Sequence, residues 1–331
     1  MRAIRHLLIT GGCGFIGVNL IRYLLSPKSG FTGVIINIDK LTYASQPHAL
    51  VEMPTDRYHF IQGDISDLRL VEQILQEYSI DTICHLAAES HVDRSINAPS
   101  AFMQSNVMGT FTILEAIRQN NPHIYLHHVS TDEVFGSLHE DEPAFTEQSP
   151  YHPNNPYSAS KASSDHLVWA YRHTYGLPIT MSHATNNYGA YQHQEKFIPR
   201  MLAGLLQRKS LPLYGDGSHL RDWLHVEDHV RAIWCILQMG KIGESYNIGA
   251  NNPYSNKDLL HLLCQIVANQ QTVPVEDLYA LITPVADRLG HDYRYAIDAK
   301  KIEVDLGWRA QINFQQGITN YVRWFIETYP H

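Results

Sequence analysis

Cysteine is scarce in this sequence, and its four cysteines lie far apart. They are Cys13, Cys84, Cys235 and Cys264, with no CxxC pair and with apolar neighbours in segments such as TICHLAA and AIWCILQ. Closely spaced cysteines are typical of zinc sites and of disulfide-rich secreted domains. The sequence therefore predicts reduced, buried thiols and no metal site, as is usual for a cytoplasmic protein.

Long apolar runs and basic runs are also missing. No segment reaches the roughly 18 uninterrupted apolar residues of a membrane span. The first apolar segment contains Asn19, Arg22 and several glycines, unlike a signal peptide. The formal net charge is -8, from 25 Lys and Arg against 33 Asp and Glu, so a polyanion would be repelled overall. We expect a cytoplasmic protein that binds neither nucleic acid nor a membrane.

Short apolar segments alternate with helix-length amphipathic segments through the first half of the chain. HLLIT precedes a predicted helix over residues 15–25, and VIINID, YHFIQ, TICHLAA and IYLHHVS recur between further helical patterns, including one over residues 99–120. This alternation predicts an α/β fold, a doubly wound parallel (Rossmann) sheet with helices on both faces. Residues 137–156 contain four prolines and no periodicity, which predicts a long loop, and a helix is predicted over residues 157–175.

A glycine motif follows the first predicted strand. Gly11, Gly14 and Gly17 lack Cβ atoms, so the backbone can turn tightly and approach a pyrophosphate at a helix N-terminus. Alone, the motif is also typical of an ordinary strand-to-helix bend. Asp39 ends the next strand, 22 residues after Gly17, where a carboxylate accepts ribose hydroxyls and repels a 2′-phosphate. Together these residues predict NAD rather than NADP; Asp64 either contacts the adenine side or caps the next helix.

Tyr157 and Lys161 form a YxxxK pair on one face of a predicted helix. An ammonium near a phenol favours the phenolate, so Tyr157 could accept a hydroxyl proton while a hydride leaves for nicotinamide. YxxxK also occurs by chance on amphipathic helices. Its presence downstream of a dinucleotide motif indicates an oxidation step.

Thr131, Asp132 and Glu133 follow the strand IYLHHVS. Doubly wound folds place ligands at this carboxyl edge of the sheet. Two interpretations stay open: a solvated turn, or an acid and base pair beside the Tyr157–Lys161 couple, with Thr131 binding the substrate hydroxyl.

Nine segments together resemble a known family. In order, they are GGCGFIG, DKLTYAS, HLAAESHVDRSI, STDEVFG, PYSASKASSDHLV, NNYG, RDWLHVEDH, YNIG and DRLGHDYRYAID. They resemble the extended short-chain dehydrogenase/reductases, the NAD-dependent sugar-nucleotide epimerases and dehydratases, over nearly the whole chain. The resemblance implies an NAD-binding domain of residues 1–184, to which residues 222–250 return. It also implies a smaller interleaved sugar-nucleotide domain of residues 185–221 and 251–331.

The resemblance further implies a reaction on dTDP-glucose with a tightly bound NAD that is reduced and reoxidised in each turnover. Tyr157 and Lys161 would oxidise the C4 hydroxyl, aided by Thr131. Glu133 would then remove the C5 hydrogen and Asp132 would protonate the departing C6 hydroxyl. Hydride would return to C6, giving a 4-keto-6-deoxy sugar nucleotide.

Contact residues are implied by the same resemblance. Those implied for NAD are Gly11, Gly14, Phe15, Ile16, Gly17, Asp39, Lys40, Leu41, Thr42, Asp64, Ile65, Leu86, Ala87, Ala88, Ser90, Tyr157, Lys161 and Asn187. Those implied for the substrate are Ser90, Thr131, Asn186, Lys196, Phe197, Pro212, Leu213, Tyr214, Arg221, Asn256, Asp287, Arg288 and His291. Arg221 and Arg288 suit a diphosphate because a guanidinium donates two hydrogen bonds in one plane, although either alone is more typical of a surface ion pair.

Alternatives to this reading remain. Phe135, Ala190 and Leu289 depart from the family's Tyr, Pro and Pro, and the last two leave the choice among thymine, uracil and cytosine open. A sugar-nucleotide epimerase or decarboxylase would use the same Tyr157, Lys161 and NAD, and a redox-sensing module would keep the fold without catalysis. A homodimer built from the two long helices is implied, although their apolar faces could equally pack only on the sheet.

Overall fold

Twelve strands and twelve α-helices make up residues 1–329, the part of the chain that this computed structural model describes. The strands are β1 His6–Thr10, β2 Val34–Asp39, β3 Tyr58–Gln62, β4 Thr82–His85, β5 Tyr125–Thr131, β6 Ile179–Ala184, β7 Asn186–Tyr188, β8 Leu211–Tyr214, β9 Leu220–His225, β10 Ser245–Ile248, β11 Pro253–Ser255 and β12 Ile282–Val285. The helices are α1 Phe15–Leu25, α2 Leu68–Glu77, α3 Val92–Asn97, α4 Pro99–Phe102, α5 Gly109–Asn120, α6 Pro156–Tyr175, α7 Phe197–Leu206, α8 Val226–Met239, α9 Asn256–Gln271, α10 Val275–Tyr279, α11 Lys300–Leu306 and α12 Phe314–Thr328.

Seven parallel strands form the central sheet, in the order β10-β6-β5-β4-β1-β2-β3. Leu7 and Ile9 of β1 pack in one core layer with α1 and α8, whereas Leu8 packs in the other with α2, α5 and α6. Strands covered on both faces read as continuous apolar runs, which is why HLLIT and VIINID have no polar face. The predicted doubly wound α/β fold is confirmed, with the order reversing between β1 and β4.

The C-terminal part of the chain has a core of its own. A three-stranded sheet (β11-β9-β7) and a two-stranded sheet (β12-β8) lie with α7, α9 and α12, around residues such as Leu202, Leu263 and Ile318. Strand β10 joins the central sheet instead, pairing with β6. The exact division into two domains stays a prediction. Residues 330 and 331, the last two of the predicted sugar-nucleotide domain, lie outside the described part of the chain.

The helix predicted over residues 99–120 is interrupted. It consists of α4, a π-helical segment Met103–Met108, and α5. Asn106 of the π segment is buried and bonds to Glu89 and Ser160, and such segments are frequent at functional sites. Periodicity cannot reveal a one-residue bulge of this kind.

The loop predicted over residues 137–156 contains no strand or helix until α6 begins at Pro156. Isolated bridges from Leu138 to Arg294 and from Phe145 to Ile297 tie it to the C-terminal part. Nowhere in residues 1–329 does a helix combine the length and apolar character needed to cross a membrane.

Candidate active site

A cleft runs along the carboxyl ends of the central strands, where a doubly wound sheet places its ligands. It brings together every predicted NAD contact except Leu41, together with Thr131, Asp132 and Glu133. Leu41 instead packs its side chain against the core beside α1. A cluster of residues separated by up to 176 positions in the sequence thus meets in one place.

The glycine motif forms the end of this cleft at α1. Gly14 is the N-cap of α1, with no side-chain cap and no acidic residue in the first turn, so the first backbone N–H groups stay available to an anion. Gly11 has φ of +70°, and a Cβ on it would lie 2.6 Å from Ala87 Cα. A Cβ on Gly17 would lie 2.5 Å from the Gly11 carbonyl oxygen. These features fit the pyrophosphate of a dinucleotide.

Asp39 and Asp64 lie at the adjoining edge of the cleft. Asp39 Oδ2 accepts a bond from Cys13 N at 3.0 Å, and Oδ1 accepts from Leu41 N at 2.8 Å. Oδ1 also accepts from Ser45 Oγ at 3.0 Å, so Oδ2 is the oxygen with a lone pair left for a ribose hydroxyl. Asp64 does not cap α2, because Asp67 does so by accepting from Leu70 N; the capping alternative for Asp64 is therefore wrong.

Thr131 ends β5, and Asp132 and Glu133 open a short 3₁₀ turn, Asp132–Phe135. The alternative of a solvated turn is wrong, since Asp132 is only 2% exposed. The Thr131 hydroxyl donates to Asp132 Oδ1 at 3.3 Å. Within residues 1–329, Asp132 Oδ2 and Glu133 Oε2 are buried atoms without a hydrogen-bond partner. Both residues line the cleft.

The two carboxyl groups differ in electrostatic surroundings. Burial raises the pKa of Asp132 well above its usual value, and the neighbouring Glu133 and Asp222 raise it further. Burial also raises the pKa of Glu133, but Arg288, Arg221 and Lys196 oppose that rise. Asp132 is therefore the group that keeps a proton, and Glu133 the one that gives it up more readily.

Tyr157 and Lys161 lie one turn apart at the start of α6, which Asn155 caps together with Ser158. Lys161 is not among the main influences on the pKa of the phenol. Burial and the nearby Glu133 raise the pKa of Tyr157, and only the Thr131 hydroxyl among its closest groups opposes them. Lys161 Nζ instead donates to the Val129 carbonyl at 3.0 Å, because β5 runs directly beneath the helix.

A second cleft continues from Glu133, Ser90 and Lys196 toward the C-terminal part. It gathers ten of the predicted substrate contacts, namely Ser90, Asn186, Lys196, Phe197, Pro212, Tyr214, Arg221, Asn256, Arg288 and His291. Thr131 lies in the first cleft, Leu213 packs in the core, and Asp287 lies behind His291, accepting from its ring nitrogen at 2.6 Å.

The two arginines are placed differently. Arg221 is 5% exposed and donates to backbone carbonyls, including Asp292 O at 2.8 Å, so it is not a surface ion pair. Arg288 forms an ion pair with Asp93 at 3.3 Å. Both positive charges nevertheless line the second cleft, as a diphosphate requires.

Sequence reasoning missed two buried residues. Asn106 Oδ1 accepts from Glu89 N at 2.8 Å and its Nδ2 donates to Ser160 Oγ at 2.8 Å, which ties the loop after β4 to α6. Nothing in the sequence marks this asparagine. Asp165 lies four residues after Lys161, and that spacing, YxxxKxxxD, is a signal that could have been read.

Comparison with known proteins agrees with this geometry. A family model described as GDP-mannose 4,6 dehydratase matches residues 8–321. A dTDP-glucose 4,6-dehydratase of Haemophilus influenzae is 48% identical, covering 97% of this chain and 98% of that protein. The dTDP-glucose 4,6-dehydratase 1 of Escherichia coli K12 is 45% identical, covering 97% and 92%.

Solved structures give the same result. A dTDP-glucose 4,6-dehydratase of Streptomyces venezuelae with NAD bound superposes with a TM-score of 0.90 at 42% identity, covering 98% of this chain and 97% of that one. The NAD complex of a dTDP-glucose 4,6-dehydratase from Bacillus anthracis has a TM-score of 0.86 at 40% identity, with coverage of 98% and 97%. This chain therefore belongs to the extended short-chain dehydrogenase/reductase family, among the dTDP-glucose 4,6-dehydratases.

Proposed function

We propose that this protein is an NAD-dependent hydro-lyase that converts dTDP-glucose to dTDP-4-keto-6-deoxyglucose, a step of deoxysugar synthesis. The observation that carries the proposal is the buried pair Asp132 and Glu133, whose surroundings separate an acid from a base beside Tyr157. The relatives at 45% to 48% identity carry the same activity in their names. Removal of water needs both proton transfers, whereas an epimerase needs neither carboxyl group.

The oxidation half of the reaction falls to α6 and the end of β5. Bound NAD supplies the hydride acceptor and the positive charge that its oxidised ring carries. Tyr157 takes the proton of the C4 hydroxyl, and Thr131 orients that hydroxyl. Lys161, held against the Val129 carbonyl, supplies positive charge beneath the phenol. Burial and Glu133 raise the pKa of Tyr157 and so favour its neutral phenol form. The two positive charges favour the phenolate, which is the form that accepts the proton.

Elimination falls to the two carboxyl groups. The C4 ketone acidifies the C5 hydrogen, which Glu133 removes as a proton. Asp132, kept protonated by burial and by Glu133, donates its proton to the C6 hydroxyl, which leaves as water. Glu133 then returns its proton to C5, and the hydride for C6 would come from the bound cofactor. Tyr157 is left with the C4 proton and Asp132 without its own, so one proton passes from Tyr157 to Asp132, directly or through solvent, before the next turnover.

Binding is assigned to the second cleft. Arg221 and Arg288 take the diphosphate, and Pro212, Tyr214 and Asn256, which line the same cleft, are assigned to the nucleoside. Leu289 is 78% exposed, so it does not by itself restrict the base. The thymine preference rests on the relatives' names.

The test is product analysis with three substrates. Purified protein is incubated with NAD and with dTDP-, UDP- or CDP-glucose, and the product is examined by mass spectrometry and by the ultraviolet absorbance of a 4-keto sugar in alkali. The proposal requires loss of one water from dTDP-glucose, faster than from the other two. A product of unchanged mass would indicate an epimerase. If no product formed, the protein would be a binding module without catalysis.

We also infer a homodimer. The π segment and α5 leave Met103, Met108 and Phe111 exposed, and Tyr175 is exposed at the end of α6. These apolar side chains lie on the two helices that pack on each other, so a second copy could bury them together. Sedimentation at twice the 37.7 kDa chain mass would support the dimer, and a monomer at micromolar concentration would refute it.

Location in the cytoplasm is a further part of the proposal. All four cysteines are free and three of them are buried, which fits a reducing compartment. Fractionation of cells with an antibody to the protein tests this, and recovery from an oxidising compartment would contradict it.

A further inference from the structure

A third ionisable residue continues the catalytic face of α6. Tyr157, Lys161 and Asp165 follow at intervals of four residues, so they lie on one side of the helix, facing β5. Asp165 is completely buried. A buried carboxylate is costly unless hydrogen bonds and an opposite charge compensate it, so its presence under a catalytic pair calls for an explanation.

Side chains from three other parts of the chain converge on this carboxylate. Ser130 of β5 donates to Asp165 Oδ2 at 2.7 Å, and Tyr151 of the long loop donates to the same oxygen at 3.1 Å. His128 Nε2 lies 3.0 Å from Oδ1, and His183 Nε2 of β6 lies 3.5 Å from Oδ2. Burial would raise the pKa of Asp165, but the bonds from His128 and His183 outweigh it and hold the pKa below the usual range.

Lys161 is joined to this cluster through His128. Lys161 Nζ lies 3.5 Å from the same His128 Nε2 that contacts Asp165. Burial lowers the pKa of Lys161, and Asp165 is the charge that opposes this. His85 and His128 are kept neutral, since burial brings the pKa of His128 to about 4 and that of His85 well below its usual value.

We propose that Asp165 is a positioning residue of the reaction, whose buried negative charge keeps Lys161 in its ammonium form beneath Tyr157. Lys161 thereby stays charged in a site that would otherwise favour its neutral amine. The functional unit is then Tyr157, Lys161 and Asp165, and the serine, tyrosine and histidines around Asp165 serve to keep it ionised. This role rests on the Tyr157–Lys161 chemistry proposed above.

Removing the charge has a definite consequence for pH dependence. Without the carboxylate, buried Lys161 loses its proton at lower pH, so the alkaline limb of the kcat/KM profile moves toward acid. The negative charges of Glu133, Asp132 and Asp165 all raise the pKa of Tyr157, so loss of one of them also lets its proton leave at lower pH. Both limbs therefore move in the same direction, whereas a purely structural defect lowers the curve without moving it.

The experiment compares Asp165→Asn with Tyr151→Phe and wild type, each as holoenzyme with dTDP-glucose. Asp165→Asn is expected to shift both limbs acidward by about one pH unit. Tyr151→Phe removes one bond to the same carboxylate but keeps its charge, so its limbs stay where wild type has them. The proposal would be overturned if Asp165→Asn lowered kcat/KM at every pH without moving either limb of the profile. It would also be overturned if Tyr151→Phe shifted the limbs as far as Asp165→Asn does.

A measurement on wild type covers the case in which Asp165→Asn does not fold. NMR titration of ¹⁵N-lysine and ¹³C-aspartate holoenzyme, with Lys161 assigned through Lys161→Arg, reports both charges directly. The proposal requires an ionised Asp165 and a protonated Lys161 throughout the pH range of maximal activity. A neutral form of either would contradict it. Because this readout needs no substrate, it separates failure of this role from failure of the proposed reaction.

Discussion

Two groups of buried carboxyl groups lie on either side of Tyr157, and they behave in opposite ways. Asp132 and Glu133, at the end of β5, have raised pKa values, whereas Asp165, within α6, has a lowered one. All three are removed from water, so burial alone does not set their charge. The difference lies in hydrogen-bond donors, which surround Asp165 and are absent from one oxygen each of Asp132 and Glu133 within residues 1–329.

This contrast separates a site that changes its protonation from one that must not. The strand-end pair has unsatisfied oxygens and like charges close together, so a proton moves easily between the protein and a substrate. The Asp165 cluster is closed by its own donors, so its charge persists. Tyr157 thus has a proton-exchanging pair beside it at the end of β5 and a fixed charge farther along its own helix.

The largest expected effect is on catalysis at the strand end. Glu133→Gln and Asp132→Asn should each lower kcat by about 10²- to 10⁴-fold, because each removes one proton transfer. Oxidation at C4 should survive, so mixing with substrate should raise the absorbance of reduced nicotinamide. In D₂O, Asp132→Asn should still exchange the C5 hydrogen and Glu133→Gln should not. Wild-type turnover by Glu133→Gln would abolish the distinction drawn between the two groups.

The next effect concerns the stability of the fold around Asp165 and its hydrogen-bond donors. Asp165→Asn should lower the free energy of unfolding by about 3–5 kcal/mol at pH 7, as loss of one partner in a buried charged network does. Because the folded-state pKa is depressed, this contribution is present above the unfolded-state value of about 3.9. It is lost as the pH falls toward the folded-state value. Urea denaturation at pH 7 and in acid measures the difference, which should shrink in acid.

A smaller loss is expected from one donor to the same carboxylate. Tyr151→Phe should cost about 1.5–3 kcal/mol, the usual contribution of a hydrogen bond to a charged group. Because Tyr151 OH also lies 2.7 Å from His183 Nε2, the variant additionally tests that contact. Urea denaturation of Tyr151→Phe and Asp165→Asn compares their losses in free energy of unfolding. An equal loss in both would mean that the charge of Asp165 itself does not stabilise the fold.

The smallest effect has the opposite sign. Asp132→Asn should stabilise the fold by about 1 kcal/mol at pH 7, because a raised folded-state pKa means that burial of this group is penalised. The penalty is absent below the unfolded-state pKa of about 3.9 and grows as the pH rises through the folded-state value. The variant's advantage should therefore vanish in acid. Destabilisation of Asp132→Asn at pH 7 would show that its bond from Thr131 outweighs the cost of burial.

Local sequence patterns were sufficient for the fold class and for most of the cleft. The sequence alone therefore determined the doubly wound sheet and brought most of the predicted contact residues to one cleft. Its evidence was local: apolar strand segments, the spacing of Gly11, Gly14 and Gly17, and the residues at the carboxyl end of β5. It also predicted the α6 pair, since four residues always make one helical turn.

Only the tertiary structure decided the protonation of the buried carboxyl groups and the π-helical interruption before α5. Whether Asp132 keeps its proton depends on Glu133, Asp222 and Arg221, and the state of Asp165 depends on residues from two strands and a loop. Asn106, within the π segment, finds its partners on the loop after β4 and on α6. Electrostatic energy and hydrogen bonding depend on distance in space, and sequence separation carries no record of that distance.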